Sequence, residues 1–275
     1  MSETGPANPE EPASGAGSSA IAADATDGAG ATMPAQAARL CARQISQDAA
    51  TGWLVLIFVV AQAVGTAFVW IWYSGDLPVS TKSYDGTLVA LVTLVTNPTL
   101  VGLFCVVVRY RGLDVREYLG LTHFTLRNFV VGLVTLVLLA GAFYLLSYFA
   151  KLDLVPRFQT DTFTSARRDG WLVPLLLAVV LVGPIGEEIT FRGFLYRGWV
   201  RPGFVITPII LITLFWSAMH IQYDWFGILQ VFLTGLLLGW LRWLSGSTSL
   251  TIVLHVLVNL EATIETVVKV GWAAS

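Results

Sequence analysis

The sequence predicts an all-α protein that crosses a membrane several times. Three observations carry that prediction. Hydrophobic residues make up 55% of the 275 and charged residues only 12%, where soluble domains carry about 25% charged residues. Mean hydropathy is +0.71, and a globule that apolar cannot cover its surface with polar groups. The apolar residues also fall in runs of about 20, the length a helix needs to cross a bilayer.

The elements follow in order. Residues 1–45 are rich in Ala, Gly, Ser, Pro, Glu and Asp, with little to bury, and are expected to be a disordered tail. Seven apolar runs come next, at about 52–73, 87–108, 128–150, 171–193, 204–222, 225–244 and 248–268. They predict about seven transmembrane helices (six to eight). Helices are expected because lipid offers no partner to open backbone groups. Trp53, Trp70, Trp72, Trp171, Trp199 and Trp225 fall near run ends, where aromatic anchors sit.

Orientation is read from Lys and Arg. With the N-terminus cytoplasmic, the inner segments carry Arg39, Arg43, Arg109, Arg111, Arg116, Arg127, Arg197, Arg201 and Arg242. The outer segments carry Lys82, Lys151, Arg157, Arg167, Arg168 and Lys269. The larger inner set predicts a cytoplasmic N-terminus. The composition is compatible with a bacterial-type plasma membrane. No basic block suits a nucleic-acid partner, and Cys41 and Cys105 make no disulfide framework.

The polar inventory divides the chain. The first three runs hold no strongly ionisable side chain, whereas the later ones hold Glu187, Glu188, Arg192, His220, His255, Glu261 and Glu265. Ionisable groups at membrane depth are costly and mark function by default. Residues 46–165 are therefore expected to be scaffold, and 166–275 the functional core, with the last four helices forming the catalytic bundle.

Within that core, Glu188 and Arg192 are four apart and share a helix face, so they can pair. Glu187 points about 100° away and is the carboxylate left available as a base. His220 follows Trp216 by one turn. His255 and Asn259 share a face and can both donate to one oxygen. Gly235 and Gly239 form a small-xxx-small face suited to close helix packing. Glu261 and Glu265 share a face near the end of the last run and are expected to reach the interface, outside the site. Depth adds a constraint. Simple hydropathy edges would separate Glu187 and His220 by about 18 Å, so the helix bearing Glu187 is expected to run on, from about 178 to 200.

The order Glu-Glu-x-x-x-Arg, aromatic-x-x-x-His, His-x-x-x-Asn resembles the CPBP (Abi) family of intramembrane proteases, which includes the type II CAAX prenyl endopeptidases. Glu187, Glu188, Arg192, Trp216, His220, His255 and Asn259 carry the likeness. The family usually has Phe where Trp216 stands. The resemblance implies hydrolysis of a peptide bond within the membrane, in a prenylated or otherwise membrane-associated substrate. Glu187 would activate water with His220, His255 and Asn259 would hold the oxyanion, and Glu188 and Arg192 would shape the site. No cofactor is expected on this reading. The alternative is zinc held by Glu187, His220 and His255. Two other classes share the inventory: a non-catalytic binding or immunity protein, and a proton-coupled transporter, which the unlike halves of the chain disfavour.

Overall fold

The computed structural model describes residues 45–73 and 84–271. The expected tail lies outside the described residues apart from Ile45, as do Arg39, Cys41, Arg43 and Lys82. The described residues form nine helices and no sheet. In chain order these are α1 (Gln47–Trp72), α2 (Gly86–Tyr110), the single turn α3 (Val115–Tyr118), α4 (Leu126–Ala150), α5 (Arg157–Arg168), α6 (Leu172–Trp199), α7 (Ile206–Ala218), α8 (Trp225–Ser245) and α9 (Thr248–Val270). Six of them (α1, α2, α4, α6, α8 and α9) are long and apolar enough to cross a membrane. The chain is an all-α polytopic membrane protein.

Short polar side chains set the helix starts. Asp85 Oδ1 accepts from Leu88 N at 2.9 Å, Thr125 from Asn128 N at 3.2 Å, Asp224 from Gly227 N at 2.8 Å and Ser247 from Leu250 N at 3.3 Å. Each satisfies an amide that the helix itself leaves open. Gly246, at φ +69°, ends α8 in the left-handed region, and this lets α9 begin two residues later. The outward faces are apolar: Val55, Val59, Val134, Val137 and Leu138 are all more than half exposed. A water-soluble protein rarely tolerates so continuous an apolar coat, whereas lipid matches it.

One correction to the sequence reading and one expectation met stand out. The run at 204–222 is not a full span, because α7 ends at Ala218 and tight turns follow through Tyr223. The run at 171–193 does continue, as the depth argument required, to Trp199. It does so with two π-helical stretches, Ala178–Val182 and Ile189–Leu195, flanking the α-turns of Gly183–Glu188. Pro184 has no N–H to donate back up the helix, and a widened turn just before it absorbs the mismatch.

Packing fixes which ends lie together. At one end, Arg242 Nε donates to Arg192 O at 3.0 Å, Thr248 N to Gly120 O at 2.7 Å and Ser247 Oγ to Thr122 O at 2.7 Å. At the other, Gly86 N donates to Ser165 Oγ at 2.7 Å, Gln159 Nε2 to Tyr223 Oη at 3.3 Å, and Lys269 Nζ pairs with Asp153 at 3.0 Å. The core between them includes Leu54, Phe104, Tyr118, Phe194 and Trp216. A second cluster joins Leu136 of α4 to Leu238, Leu241 and Leu254. Gly235 and Gly239 pack α8 onto α7: a Cβ on Gly235 would meet the Trp216 ring at 2.8 Å, and one on Gly239 would meet Ile209 at 2.7 Å.

Candidate active site

Helix α6 supplies two carboxylates with different surroundings. Glu188 is fully buried, and its Oε1 accepts from Arg192 Nη1 at 2.9 Å, one helical turn on. The same oxygen lies 3.0 Å from His255 Nδ1 on α9. Arg192, 1% exposed, donates its Nη2 to Gly235 O at 3.0 Å. Its guanidinium carbon lies 4.5 Å from the centre of the Trp216 ring. A buried ion pair is tolerated when its remaining polar atoms find partners; Arg192 has a carbonyl and an aromatic face, while Glu188 Oε2 has no hydrogen-bond partner among the described residues.

Glu187 turns the other way, as the helix period requires. Its side chain is 31% exposed. Trp216 Nε1 donates to its Oε2 at 2.7 Å, and His255 Nε2 stands 4.0 Å from that same oxygen. His255 therefore lies between the two glutamates. Facing an ionised Glu188, its Nδ1 carries the proton. Its Nε2 is then an acceptor in the neutral ring and a donor in the imidazolium. As imidazolium it would leave Glu187, Glu188, Arg192 and His255 with no net charge, which suits a site at membrane depth.

His220 follows α7 in the turns. Its Nδ1 lies 3.0 Å from Trp216 O. A carbonyl only accepts, so Nδ1 bears the hydrogen and Nε2 of the neutral ring is a proton acceptor. The Trp216 ring stands edge-on to both imidazoles, at 5.2 Å from His220 and 5.4 Å from His255. Asn259 Nδ2 donates to Val179 O at 2.7 Å, within the π-helical stretch before Pro184. One amide hydrogen of Asn259 is thus engaged and one remains. Asn97 of α2 packs against Gly186, where a Cβ would run into its side chain.

A cavity of about 160 Å³ joins these groups. Glu187, Trp216, His220, His255 and Asn259 line it, while Glu188 and Arg192 sit behind the wall. Six polar side chains outside the expected site also reach it: Gln159, Tyr223, Gln230, Thr234, Glu261 and Glu265. The placing of Glu261 and Glu265 corrects the expectation that they reach only the interface. The one-turn steps from His255 through Val258 to Glu261 and Glu265 were the available signal. Burial pushes the Tyr223 phenol above its ordinary range, so it stays neutral as it accepts from Gln159. Among the described residues no three His, Cys, Asp or Glu side chains converge closely enough to hold a metal ion.

Residues 169–260 match the family model of the type II CAAX prenyl endopeptidases, Rce1-like. Over that stretch the chain is similar to the Rce1-like family. The match takes in α6, α7, α8 and the first half of α9, and with them Glu187, Glu188, Arg192, His220, His255 and Asn259. Glu261 and Glu265 fall just beyond the Rce1-like segment, and α1 to α5 precede it. No curated protein and no solved structure matches the chain.

Proposed function

We propose that the chain is an intramembrane endopeptidase of the CPBP/CAAX type. Glu187 acts as base, and a substrate carbonyl is bound between His255 and Asn259. The reading is carried by one observation: His255 is held by the buried Glu188–Arg192 pair with its Nε2 toward Glu187, on the wall of a cavity. In the reaction, Glu187 takes a proton from water, with His220 Nε2 as a second acceptor, and the hydroxide adds to the peptide carbonyl carbon. The oxyanion is held by His255 Nε2–H and the free amide hydrogen of Asn259. Collapse breaks the C–N bond, and Glu187 returns the proton to the leaving amine. A positioned base contributes typically 10²- to 10⁴-fold, and each oxyanion donor about 3 kcal/mol.

Residues 46–165 serve as scaffold and 166–275 as the catalytic core, with α6 to α9 forming the bundle around the cavity. The protein lies in a plasma membrane of bacterial type with its N-terminus cytoplasmic. Its substrate is a membrane-associated peptide or protein, with a prenylated one as the first candidate.

The test is purified wild type and Glu187→Ala given a farnesylated CAAX peptide and an unmodified peptide library, with and without a zinc chelator. Cleavage that is lost in Glu187→Ala and persists under chelation supports this mechanism. Loss under chelation would transfer the roles of Glu187, His220 and His255 to zinc ligation. A folded protein that cleaves nothing would point to the binding or immunity class, and proton-driven flux in liposomes to a transporter.

A further inference from the structure

The cavity carries a charge imbalance that the proposed chemistry does not use. Among the described residues its lining holds three carboxylates, Glu187, Glu261 and Glu265, and no lysine or arginine. Glu187 has its place beside His255, with Glu188 and Arg192 behind the wall. Glu261 and Glu265 have no such company. They stand one turn apart on α9, and neither forms an ion pair among the described residues. The cations of the neighbouring segments are engaged elsewhere. Arg157 is tied to Asp161 at 3.3 Å, Arg168 to Asp169 at 2.8 Å and Lys269 to Asp153 at 3.0 Å, and Arg167 Nη1 donates to Gly271 O at 2.8 Å. Lys151, at the end of α4, is exposed and does not line the cavity.

A second observation points to a ligand in the same cavity. His255 is 3% exposed, yet its Nε2 makes no hydrogen bond among the described residues, with Glu187 Oε2 standing 4.0 Å away. A buried polar atom left open is costly, and this one faces the cavity beside the free amide hydrogen of Asn259. Carboxylates in a cleft with low-dielectric walls focus a negative potential into it. Ionisable groups at membrane depth pair or serve a ligand, and the protein's own side chains offer Glu261 and Glu265 no cation. An incoming chain can supply one. Along α9, Glu261 lies six residues and Glu265 ten residues beyond His255, about 9 and 15 Å at the rise of a helix. An extended peptide covers about 3.3 Å per residue. The two carboxylates therefore reach residues about three to five positions from a carbonyl held at His255.

We propose that Glu261 and Glu265 form a cation subsite of this cavity, which selects peptides bearing lysine or arginine about three to five residues from the bond that is cut. This deepens the endopeptidase reading above and rests on it. The substrate ammonium or guanidinium donates to both carboxylates across one helical turn, and charge-assisted bonds of this kind are about twice as strong as neutral ones. The contact fixes the register of the peptide, so that one carbonyl stands at His255 and Asn259. A glutamate at the same position meets like charge and is rejected. Selection thus lies with the far half of α9, and bond cleavage with Glu187 and His255.

The test uses the full chain in detergent and a library peptide that it cleaves, remade with lysine, norleucine or glutamate at successive positions on either side of the cut bond. In wild type, kcat/KM is expected to be about ten- to a hundredfold higher for lysine than for norleucine within that window, chiefly through KM, and lowest for glutamate. The lysine-to-norleucine ratio should fall to near one in the protein carrying Glu261→Gln and Glu265→Gln. It should survive in the protein carrying Glu261→Asp and Glu265→Asp, which keeps the charge. Equal cleavage of the lysine and norleucine peptides by wild type overturns the inference, as does a preference that peaks outside the window or persists with both Gln substitutions. Each ratio is read within one protein, so a general loss of activity in a variant does not imitate the expected result. If folded wild type cuts no peptide, the endopeptidase reading fails, and binding alone decides the subsite. Fluorescein-labelled library peptides that differ only in lysine or norleucine are then compared by anisotropy. Tighter binding of the lysine peptide to wild type, lost with both Gln substitutions, keeps the subsite, and equal binding overturns it.

Discussion

Trp216 donates its indole N–H to Glu187 Oε2 at 2.7 Å, from a ring that also lies over Arg192 at 4.5 Å. One side chain thus touches the free carboxylate of α6 with its edge and the paired cation with its face. Replacing it tests both contacts separately. Trp216→Phe keeps a ring for Arg192 and removes the donor to Glu187. A hydrogen bond to a charged group is worth about 1.5–3 kcal/mol, so kcat/KM is expected to fall ten- to a hundredfold with little change in melting temperature. Full activity would mean that the indole N–H does not position Glu187.

Glu188 and Arg192 are expected to govern stability as well as activity. Removing one member of a buried pair leaves an uncompensated charge and costs about 3–5 kcal/mol. Glu188→Gln should lower the melting temperature in detergent markedly. The double variant Glu188→Gln with Arg192→Met should recover part of that loss without recovering activity. A Glu188→Gln protein as stable as wild type would show the pair to be of little structural weight.

Asn259 has one amide hydrogen on Val179 O and one free. If the free one holds an oxyanion, Asn259→Leu should lower kcat by about 10²–10³ with KM nearly unchanged. Single-turnover cleavage of a saturating peptide measures this. An effect confined to KM would assign Asn259 to substrate binding instead.

Gly235 sits where a methyl group would press on the Trp216 ring. Gly235→Ala is expected to cost about 1–3 kcal/mol through overpacking, visible as a lower melting temperature. It should also weaken the bond between Trp216 and Glu187, so activity should fall at temperatures where the protein is still folded. Gly239→Ala presses on Ile209, which is remote from the cavity lining, and should cost stability with activity preserved below the melting point.

Most of the site was legible because helical spacing alone places its groups. The four-residue steps Glu188–Arg192 and His255–Asn259 put each pair on one face, and the 100° offset set Glu187 apart. The run-on of α6 to Trp199 was also legible, from depth: Glu187 and His220 could not otherwise share a water. Three features were not. The π-helical stretches depend on where Pro184 and Asn259 meet the backbone, a tertiary matter. The end of α7 at Ala218 was hidden because hydropathy stays high into the turns that follow. Gln159 and Tyr223 reach the cavity from connecting segments, where no periodicity points to a partner. Glu261 and Glu265 carried a periodic signal that was outweighed by their place near a span end.

The brevity of α7 bears on the lipid around it. Thirteen residues rise about 20 Å, against a hydrocarbon layer of about 30 Å. A bilayer meeting so short an apolar wall thins or draws headgroups and water inward. That depression would lie beside Trp216 and His220, at the end of α7, so water would reach the proposed site of hydrolysis without crossing a full thickness of oil. Acyl-chain length should then act as a control on rate: short-chain lipids, already matched to α7, should support faster turnover than long-chain lipids that must be deformed around it.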